Sequence, residues 1–342
     1  MDIAKFKSSL KEGGLRGVYI LGGEEEYLIR YYLGEIRRAL DIDPTFAVFN
    51  NPSYEGGEVD FGELFEAVKS PPMMSDYKLV EWRHADFASM KEGDISSLCE
   101  LCELVAEHPY SIVVFTAEGE RADFGTPKRP SKFFSAFDKK ANLLNFEKST
   151  EAQLYGWLKR HFDAMGVLVD MEVVKNLVFR VGKSMDTLLS EAQKLAFLAL
   201  SRGRDRILPE DISEVSISTP ESDTFALSNA ITDRNKSAAY TALLDLKNRR
   251  VDPTVVLGMV AKTFDDLLSV SMLLEDGVGA AEIESALKMN PYKVKIYLSA
   301  AKKYNAKALS DITAALTKAD ADSKYGGVTG YTAIELFLAK YL

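Results

Sequence analysis

The sequence of 342 residues is poor in the groups that most often build metal, redox and membrane sites. It has two cysteines and three histidines, and it has no tract of low complexity. No apolar run approaches the roughly 20 residues that a helix needs to cross a bilayer, and the first residues lack the apolar core of a signal peptide. We therefore expect a cytoplasmic protein that makes no contact with a membrane.

The two cysteines form one Cys-x-x-Cys pair, Cys99 and Cys102. Such a pair can be a redox couple or half of a zinc site. No second pair occurs, and His84, His108 and His161 lack the spacing of metal ligands. Because apolar residues recur around the pair at helical intervals, we interpret both thiols as small apolar groups on one helix and predict no metal site.

A glycine pair stands where a nucleotide-binding loop would lie. Residues 17–21 have the pattern of an apolar strand, and Gly22 and Gly23 precede a helical pattern. A phosphate loop needs a lysine for the phosphates and a serine or threonine for Mg²⁺, whereas residues 24–26 are three glutamates. We therefore predict a nucleotidase-like fold with no catalytic residues and no cofactor.

Strand-like and helix-like segments alternate through the first 146 residues, which predicts a parallel sheet flanked by helices. We predict strands at residues 18–21, 46–49, 78–82, 111–116 and 143–146. Residues 119–130 are polar and broken by glycine and proline, which predicts a surface loop. Every later segment has helical periodicity, so the predicted fold class is α/β followed by all-α.

Polar residues 216–222 contain Thr219-Pro220-Glu221 and predict a hinge between domains. In the helical segments beyond them, apolar stripes exceed what one small bundle needs to bury. Helices of this kind are suited to packing against copies or partners, although a self-contained bundle is the simpler alternative.

The net charge of −9 argues against a protein that coats DNA unaided, because such binding depends on lysine and arginine. Residues 288–307 nevertheless carry six lysines and no acidic residue, with three tyrosines interleaved. The simpler interpretation is a solvated helix face whose tyrosines lie in the core, and the alternative is a contact with nucleic acid.

Two adjacent methionines, Met73 and Met74, follow Pro71 and Pro72. The prolines end the preceding helix and hold the turn, so both methionines cannot face inward, and we expect at least one to point outward. Methionine is well suited to filling a partner's apolar pocket. The alternative is a loop methionine that packs under its own sheet.

Several of these segments resemble the delta subunit family of the bacterial DNA polymerase III sliding-clamp loader. The opening strand-turn-helix at residues 19–28 is similar to that of the family, and residues 70–80, Ser-Pro-Pro-Met-Met-Ser-Asp-Tyr-Lys-Leu-Val, are similar to its clamp-contacting tip. The resemblance continues at residues 190–195, 207–212, 223–227 and 320–326. Each motif alone is weak evidence for the family, but the order and spacing of the motifs together are specific to it.

The resemblance implies an AAA+-like architecture without ATPase residues. It comprises an α/β domain at residues 1–147, a small helical lid domain at 148–216 and a helical collar domain at 217–342. In that family two adjacent apolar side chains bind the beta sliding clamp and favour its open form, and by position these are Met73 and Met74. The other implied partners are loader subunits of the gamma/tau and delta-prime types, and ATP is bound by neighbouring subunits.

The resemblance also implies contact with primer–template DNA inside the assembled loader. The candidate residues are Lys302, Lys303, Lys324 and Tyr325, where the lysines would neutralise phosphates and the tyrosine would stack on a base. Two other functions stay open at this point: a vestigial AAA+-like NTPase, and a scaffold subunit of another DNA-metabolism complex. The absence of a lysine after Gly23 argues against the NTPase. A clamp-binding experiment distinguishes the delta subunit from the scaffold subunit.

Overall fold

The computed structural model describes residues 3–56, 59–126, 129–289, 291–304, 306–325 and 330–342. The chain divides into two compact units, Met1–Ser149 and Thr150–Leu342. Within the described ranges, none of the helices combines the length and apolar composition that a membrane crossing requires.

The first unit is an α/β fold. Its elements are α1 (Ile3–Lys11), β1 (Gly17–Gly23), α2 (Glu26–Leu40), α3 (Ala47–Asn50), β2 (Ser53–Glu55), α4 (Phe61–Lys69), β3 (Lys78–Arg83), α5 (Glu92–Glu107), β4 (Ser111–Glu118), β5 (Gly125–Thr126), β6 (Arg129–Pro130), α6 (Lys132–Phe137) and β7 (Asn142–Asn145). Five parallel strands form one sheet in the order β2-β3-β4-β1-β7. Helices cover both faces, which explains why the central strands are apolar throughout.

Alternate residues of the central strands enter different cores, as the two-residue period of a strand requires. In β1, Val18 and Ile20 pack with α4, α5 and α6 on one face of the sheet. Tyr19 and Leu21 pack with α1 and α2 on the other face. The sheet is therefore held between two apolar layers and forms a rigid support for the loops at its edges.

One predicted strand is wrong. Residues 46–49 form the end of a 3-10 turn (Pro44–Phe46) and the short helix α3, and the edge strand is β2. Asp43 accepts a hydrogen bond from the Thr45 N–H at 2.8 Å, and Pro44 stands at the first helical position. These helix-starting features outweigh the apolar run that suggested a strand.

The predicted surface loop at residues 119–130 is also partly wrong. A 3-10 turn (Gly119–Ala122) is followed by the two-stranded ribbon of β5 and β6. Ala122 and Phe124 are buried in the core on one side of the sheet. Glycine and proline marked the turns correctly, but they did not reveal that two side chains between them return to the sheet.

The second unit is helical. Its helices are α7 (Glu151–Ala164), α8 (Met171–Val181), α9 (Met185–Ser201), α10 (Pro209–Val215), α11 (Pro220–Thr232), α12 (Lys236–Asn248), α13 (Pro253–Glu275), α14 (Ala280–Leu287), α15 (Pro291–Ala301), α16 (Ala306–Tyr325) and α17 (Gly330–Tyr341). Thr150 and Ser184 cap α7 and α9 with their side chains, as their positions before apolar stripes predict. The fold class of α/β followed by all-α is confirmed.

The segment predicted as a hinge is bonded to neighbouring helices. The Thr219 N–H donates to the Arg180 carbonyl at 2.9 Å, and Arg249 Nη1 donates to the Ser218 carbonyl at 2.7 Å. The helices after it share one large core that runs from Phe225 to Leu338. The structure keeps both sides of this segment in one unit, so the division into domains at 1–147, 148–216 and 217–342 stays a prediction.

Candidate functional site

The turn after β1, where a phosphate would sit in a nucleotide-binding fold, is filled by side chains and backbone. A Cβ added to Gly22 would lie 2.7 Å from Phe124 Cε2 and 2.9 Å from Ala122 Cβ. A Cβ added to Gly23 would lie 2.5 Å from the Phe146 carbonyl oxygen, and the φ of Gly23 is +124°. These glycines therefore allow neighbouring parts of the protein to approach the strand, and they leave no cradle for a phosphate.

The cleft beside this turn is acidic. It has a volume of about 520 Å³, and the described residues line it with four carboxylates and one ammonium group, namely Glu24, Glu120, Asp123, Glu147 and Lys148. The ammonium also lies 3.8 Å from the buried Glu25 carboxylate. A triphosphate would meet net negative charge here, so the geometry does not favour nucleotide binding.

The cysteine pair lies on α5, as predicted. Cys102 is buried in the core beside the sheet, and Cys99 is partly buried against the same cluster. Burial raises the pKa of the Cys102 thiol to about 12, so this thiol stays protonated and is a poor nucleophile or metal ligand. The interpretation of the pair as small apolar groups is confirmed.

The loop that carries Met73 and Met74 is anchored where it leaves α4. The Ser70 N–H and Oγ both donate to the Glu66 carbonyl, at 3.0 and 2.7 Å, and so end the helix. Tyr110 Oη donates to the Lys69 carbonyl at 2.6 Å. Below the loop, Lys78 Nζ donates to the Ser70 carbonyl at 3.3 Å, and burial lowers the pKa of Lys78. The first half of the loop is therefore fixed to the body of the unit.

A buried asparagine holds the middle of the same loop. Asn50 Nδ2 donates to the Met73 carbonyl at 2.7 Å, and the Met73 N–H donates to Asn50 Oδ1 at 2.7 Å. At the far end, Arg16 Nη2 donates to Tyr77 Oη at 2.7 Å, and its guanidinium stacks over the Tyr77 ring. The backbone around the methionines is thus held at its start, middle and end.

Both methionine side chains point outward. Met73 is 42% exposed and Met74 is 83% exposed. The φ of Met74 is +52°, a left-handed backbone conformation that costs energy in a residue with a Cβ atom. The prediction that at least one methionine faces solvent is confirmed. An apolar pair on a fixed backbone is suited to binding, because little conformational freedom is left to lose.

The residues predicted to contact DNA lie in two places. Lys302 and Lys303 follow α15 and precede α16, whereas Lys324 and Tyr325 are the last two residues of α16. With 20 residues, α16 is about 30 Å long, and the two pairs lie near its opposite ends. Lys303 forms an ion pair with Asp233, and Lys324 Nζ lies 2.6 Å from Asp320 Oδ2.

The tyrosines of the lysine-rich stretch belong to the interior of the second unit. Tyr297 is buried in its core. Tyr304 Oη donates to the Thr232 carbonyl, and the Tyr292 ring packs against Phe179 with centroids 5.3 Å apart. Lys295 pairs with Glu172 at 2.6 Å, which lowers the pKa of that carboxyl. The simpler interpretation, a solvated lysine face with tyrosines in the core, fits these contacts.

The sequence did not identify Asn50 as part of the methionine site. It stands 23 residues before Met73, and a single asparagine after an apolar run carries no local signal of its partner. Two exposed apolar residues beside it, Val48 and Phe49, lie in the segment that the apolar run wrongly predicts to be a strand. A helix start at Asp43-Pro44 was the available sign that these residues belong to a turn of helix instead.

Comparisons with known proteins agree on one family. The family described as "DNA polymerase III, delta subunit" matches residues 19–147, and "DNA polymerase III delta subunit, C-terminal domain" matches residues 221–341. DNA polymerase III subunit delta of Bacillus subtilis (strain 168) is 25% identical over 340 residues, which cover 98% of this chain and 95% of that protein.

One solved structure shows the same likeness in fold. The chain matches the Bacillus subtilis DNA clamp loader delta protein with a TM-score of 0.56 and 22% identity, over 99% of each chain. It matches the Thermotoga maritima RuvB Holliday junction branch migration motor with a TM-score of 0.40 and 11% identity, over 84% of this chain and 83% of that one. The parallel sheet followed by helices and the match to the Bacillus subtilis protein agree with the predicted fold class of α/β followed by all-α.

Proposed function

The chain belongs to the family of DNA polymerase III delta subunits, and on this premise we propose that it binds the beta sliding clamp and favours the open form of that ring. The family assignment supports a role in clamp loading. The exposed pair Met73 and Met74 on an anchored loop carries the finer proposal. Two apolar side chains held in place offer an anchor for a pocket on a partner.

The chain acts in this proposal as a non-catalytic subunit. The closed glycine turn and the acidic cleft support that role, because neither offers a site for nucleotide phosphates. The remaining partners are loader subunits of the gamma/tau and delta-prime types, which we assign to the helical collar at residues 217–342. A lid domain at 148–216 connects this collar to the α/β domain at 1–147.

Primer–template DNA is the third proposed partner. Lys302 and Lys303 would contact the duplex at one end of α16, and Lys324 and Tyr325 at the other. A span of about 30 Å corresponds to nearly one helical turn of a duplex, so the two pairs would reach phosphates almost a turn apart. Each ion pair with a neighbouring aspartate must open for its lysine to bind phosphate.

Surface plasmon resonance of the full chain over the immobilised cognate clamp tests the central proposal. We expect saturable binding, and we expect fluorophores placed across one clamp interface to move apart when the chain binds. A folded chain that does not bind the clamp would contradict the proposal. Binding without any change at the clamp interface would restrict the role to docking.

A further inference from the structure

A second pair of exposed apolar side chains lies beside the methionine loop. Val48 is 84% exposed and Phe49 is 54% exposed on the short helix α3. In the described part of the first unit, Tyr31 is the one other large apolar residue, besides Met73 and Met74, with comparable exposure. Four of the five such residues therefore belong to α3 or to the methionine loop. Exposed apolar residues scattered singly need no explanation, but this clustering does.

Hydrogen bonds join α3 directly to the methionine loop. Asn50, the last residue of α3, makes two 2.7 Å hydrogen bonds to the backbone of Met73. Neighbouring Cα atoms are about 3.8 Å apart, so Phe49 lies one residue from the group that holds Met73. A partner that covers Met73 and Met74 must approach α3 closely.

The helix itself is also held by hydrogen bonds before and after it. Asp43 caps the turn that precedes it. After it, Asn51 Nδ2 donates to the Leu79 carbonyl at 3.0 Å and to Glu81 Oε1 at 3.0 Å. Val48 and Phe49 are thus presented on fixed backbone, which reduces the entropy lost when a partner orders them.

We propose that Val48 and Phe49 form a second apolar contact with the sliding clamp, continuous with that of Met73 and Met74. This inference rests on the proposed function, and it extends the contact from one loop to a surface made of α3 and the loop. We assign the clamp as the partner of both pairs because the Asn50 hydrogen bonds join α3 to the methionine loop. Aromatic side chains and methionines are both enriched in protein interfaces.

The test compares variants of the full chain by surface plasmon resonance over the immobilised cognate clamp. One variant combines Val48→Ser with Phe49→Ser, and the second combines Met73→Ser with Met74→Ser. Phe197→Ser is the matched control, because Phe197 is a strongly exposed aromatic residue on α9 of the second unit. Thermal melts followed by circular dichroism establish that each variant is folded. Phe49→Leu keeps an apolar side chain at the same position.

We expect clamp affinity to fall about tenfold in the α3 variant and about a hundredfold in the methionine variant, with Phe197→Ser unchanged and Phe49→Leu within about threefold of wild type. Wild-type affinity in the folded α3 variant, with loss in the methionine variant, would overturn the inference and leave the proposed function standing. An α3 variant that keeps clamp affinity but no longer co-elutes with the other loader subunits would also overturn it. Wild-type affinity in both variants would overturn the proposed function and the inference together.

Discussion

The parallel sheet of the first unit has an amino edge, where its strands begin, and a carboxyl edge, where they end. These two edges differ in what they offer a ligand. At the carboxyl edge, where open α/β sheets usually bind ligands, Phe124 and Phe146 close the space beside the glycine turn and carboxylates line the cleft. At the amino edge, the segments before β2 and β3 present exposed apolar side chains on fixed backbone. The proposed binding surface therefore lies at the edge that such folds usually leave unused.

The comparison shows how one scaffold separates fold from function. Both edges depend on the same buried strands, which hold them about 20 Å apart because β3 has six residues. The side chains and backbone of the loops decide which edge is open. A change at one edge is accordingly expected to leave the other intact, and the predictions below test that independence.

Removing the methionine side chains is expected to have the largest effect. Burying each one in a partner is worth roughly 1.5–3 kcal/mol, so Met73→Ala with Met74→Ala should weaken clamp binding by about a hundredfold or more. The free energy of unfolding should hardly change, because exposed side chains leave no cavity when truncated. Surface plasmon resonance and denaturant titration measure the two quantities. A folded double variant with wild-type affinity would show that the two methionines do not contact the clamp.

Adding a methyl group at the closed edge is expected to destabilise the fold. In Gly23→Ala the new Cβ would lie 2.5 Å from the Phe146 carbonyl oxygen, at a φ of +124°. We expect a loss of about 3 kcal/mol or more in the free energy of unfolding. Gly119→Ala is the matched control, because its φ is +57° and no atom of the described residues lies within 4 Å of the added Cβ; we expect about 1–2 kcal/mol there. Equal losses in the two variants would mean that the carboxyl edge is not closed.

Releasing the methionine loop without altering the methionines is expected to have a smaller effect. Asn50→Ala removes both hydrogen bonds to the Met73 backbone, and the loop must then be ordered during binding. We expect a five- to tenfold loss of clamp affinity and about 1–3 kcal/mol of stability. Asn142→Ala, whose side chain donates to the Val18 carbonyl at 3.2 Å and lies outside both α3 and the methionine loop, should lose stability but keep affinity. Equal affinity losses in both variants would assign the effect to general destabilisation.

Nucleotide is expected to have no effect at all. Isothermal titration with Mg·ATP should give no binding heat, because the described residues place four carboxylates and one ammonium group in the cleft at the carboxyl edge. Micromolar binding of ATP that is lost when Gly22 is replaced would show that the carboxyl edge binds nucleotide. It would support the NTPase interpretation.

Much of this description follows from local patterns. The apolar strand before Gly22, the three glutamates after Gly23 and the proline pair before Met73 each act within a few residues. Periodicity separated the α/β half from the helical half for the same reason, since it depends on neighbours along the chain. The error at residues 46–49 arose where two local signals competed, and the helix-starting Asp43-Pro44 outweighed the apolar run.

The sequence by itself determined the alternation of strand and helix, the acidic glycine turn and the outward direction of at least one methionine, because each depends on backbone preferences and charges within one short segment. Only the tertiary structure decided that Phe124 closes the turn at Gly22 and that Asn50 holds Met73, since these contacts join residues 102 and 23 positions apart. The folded sheet brings such residues together, and no local pattern encodes a partner at that separation.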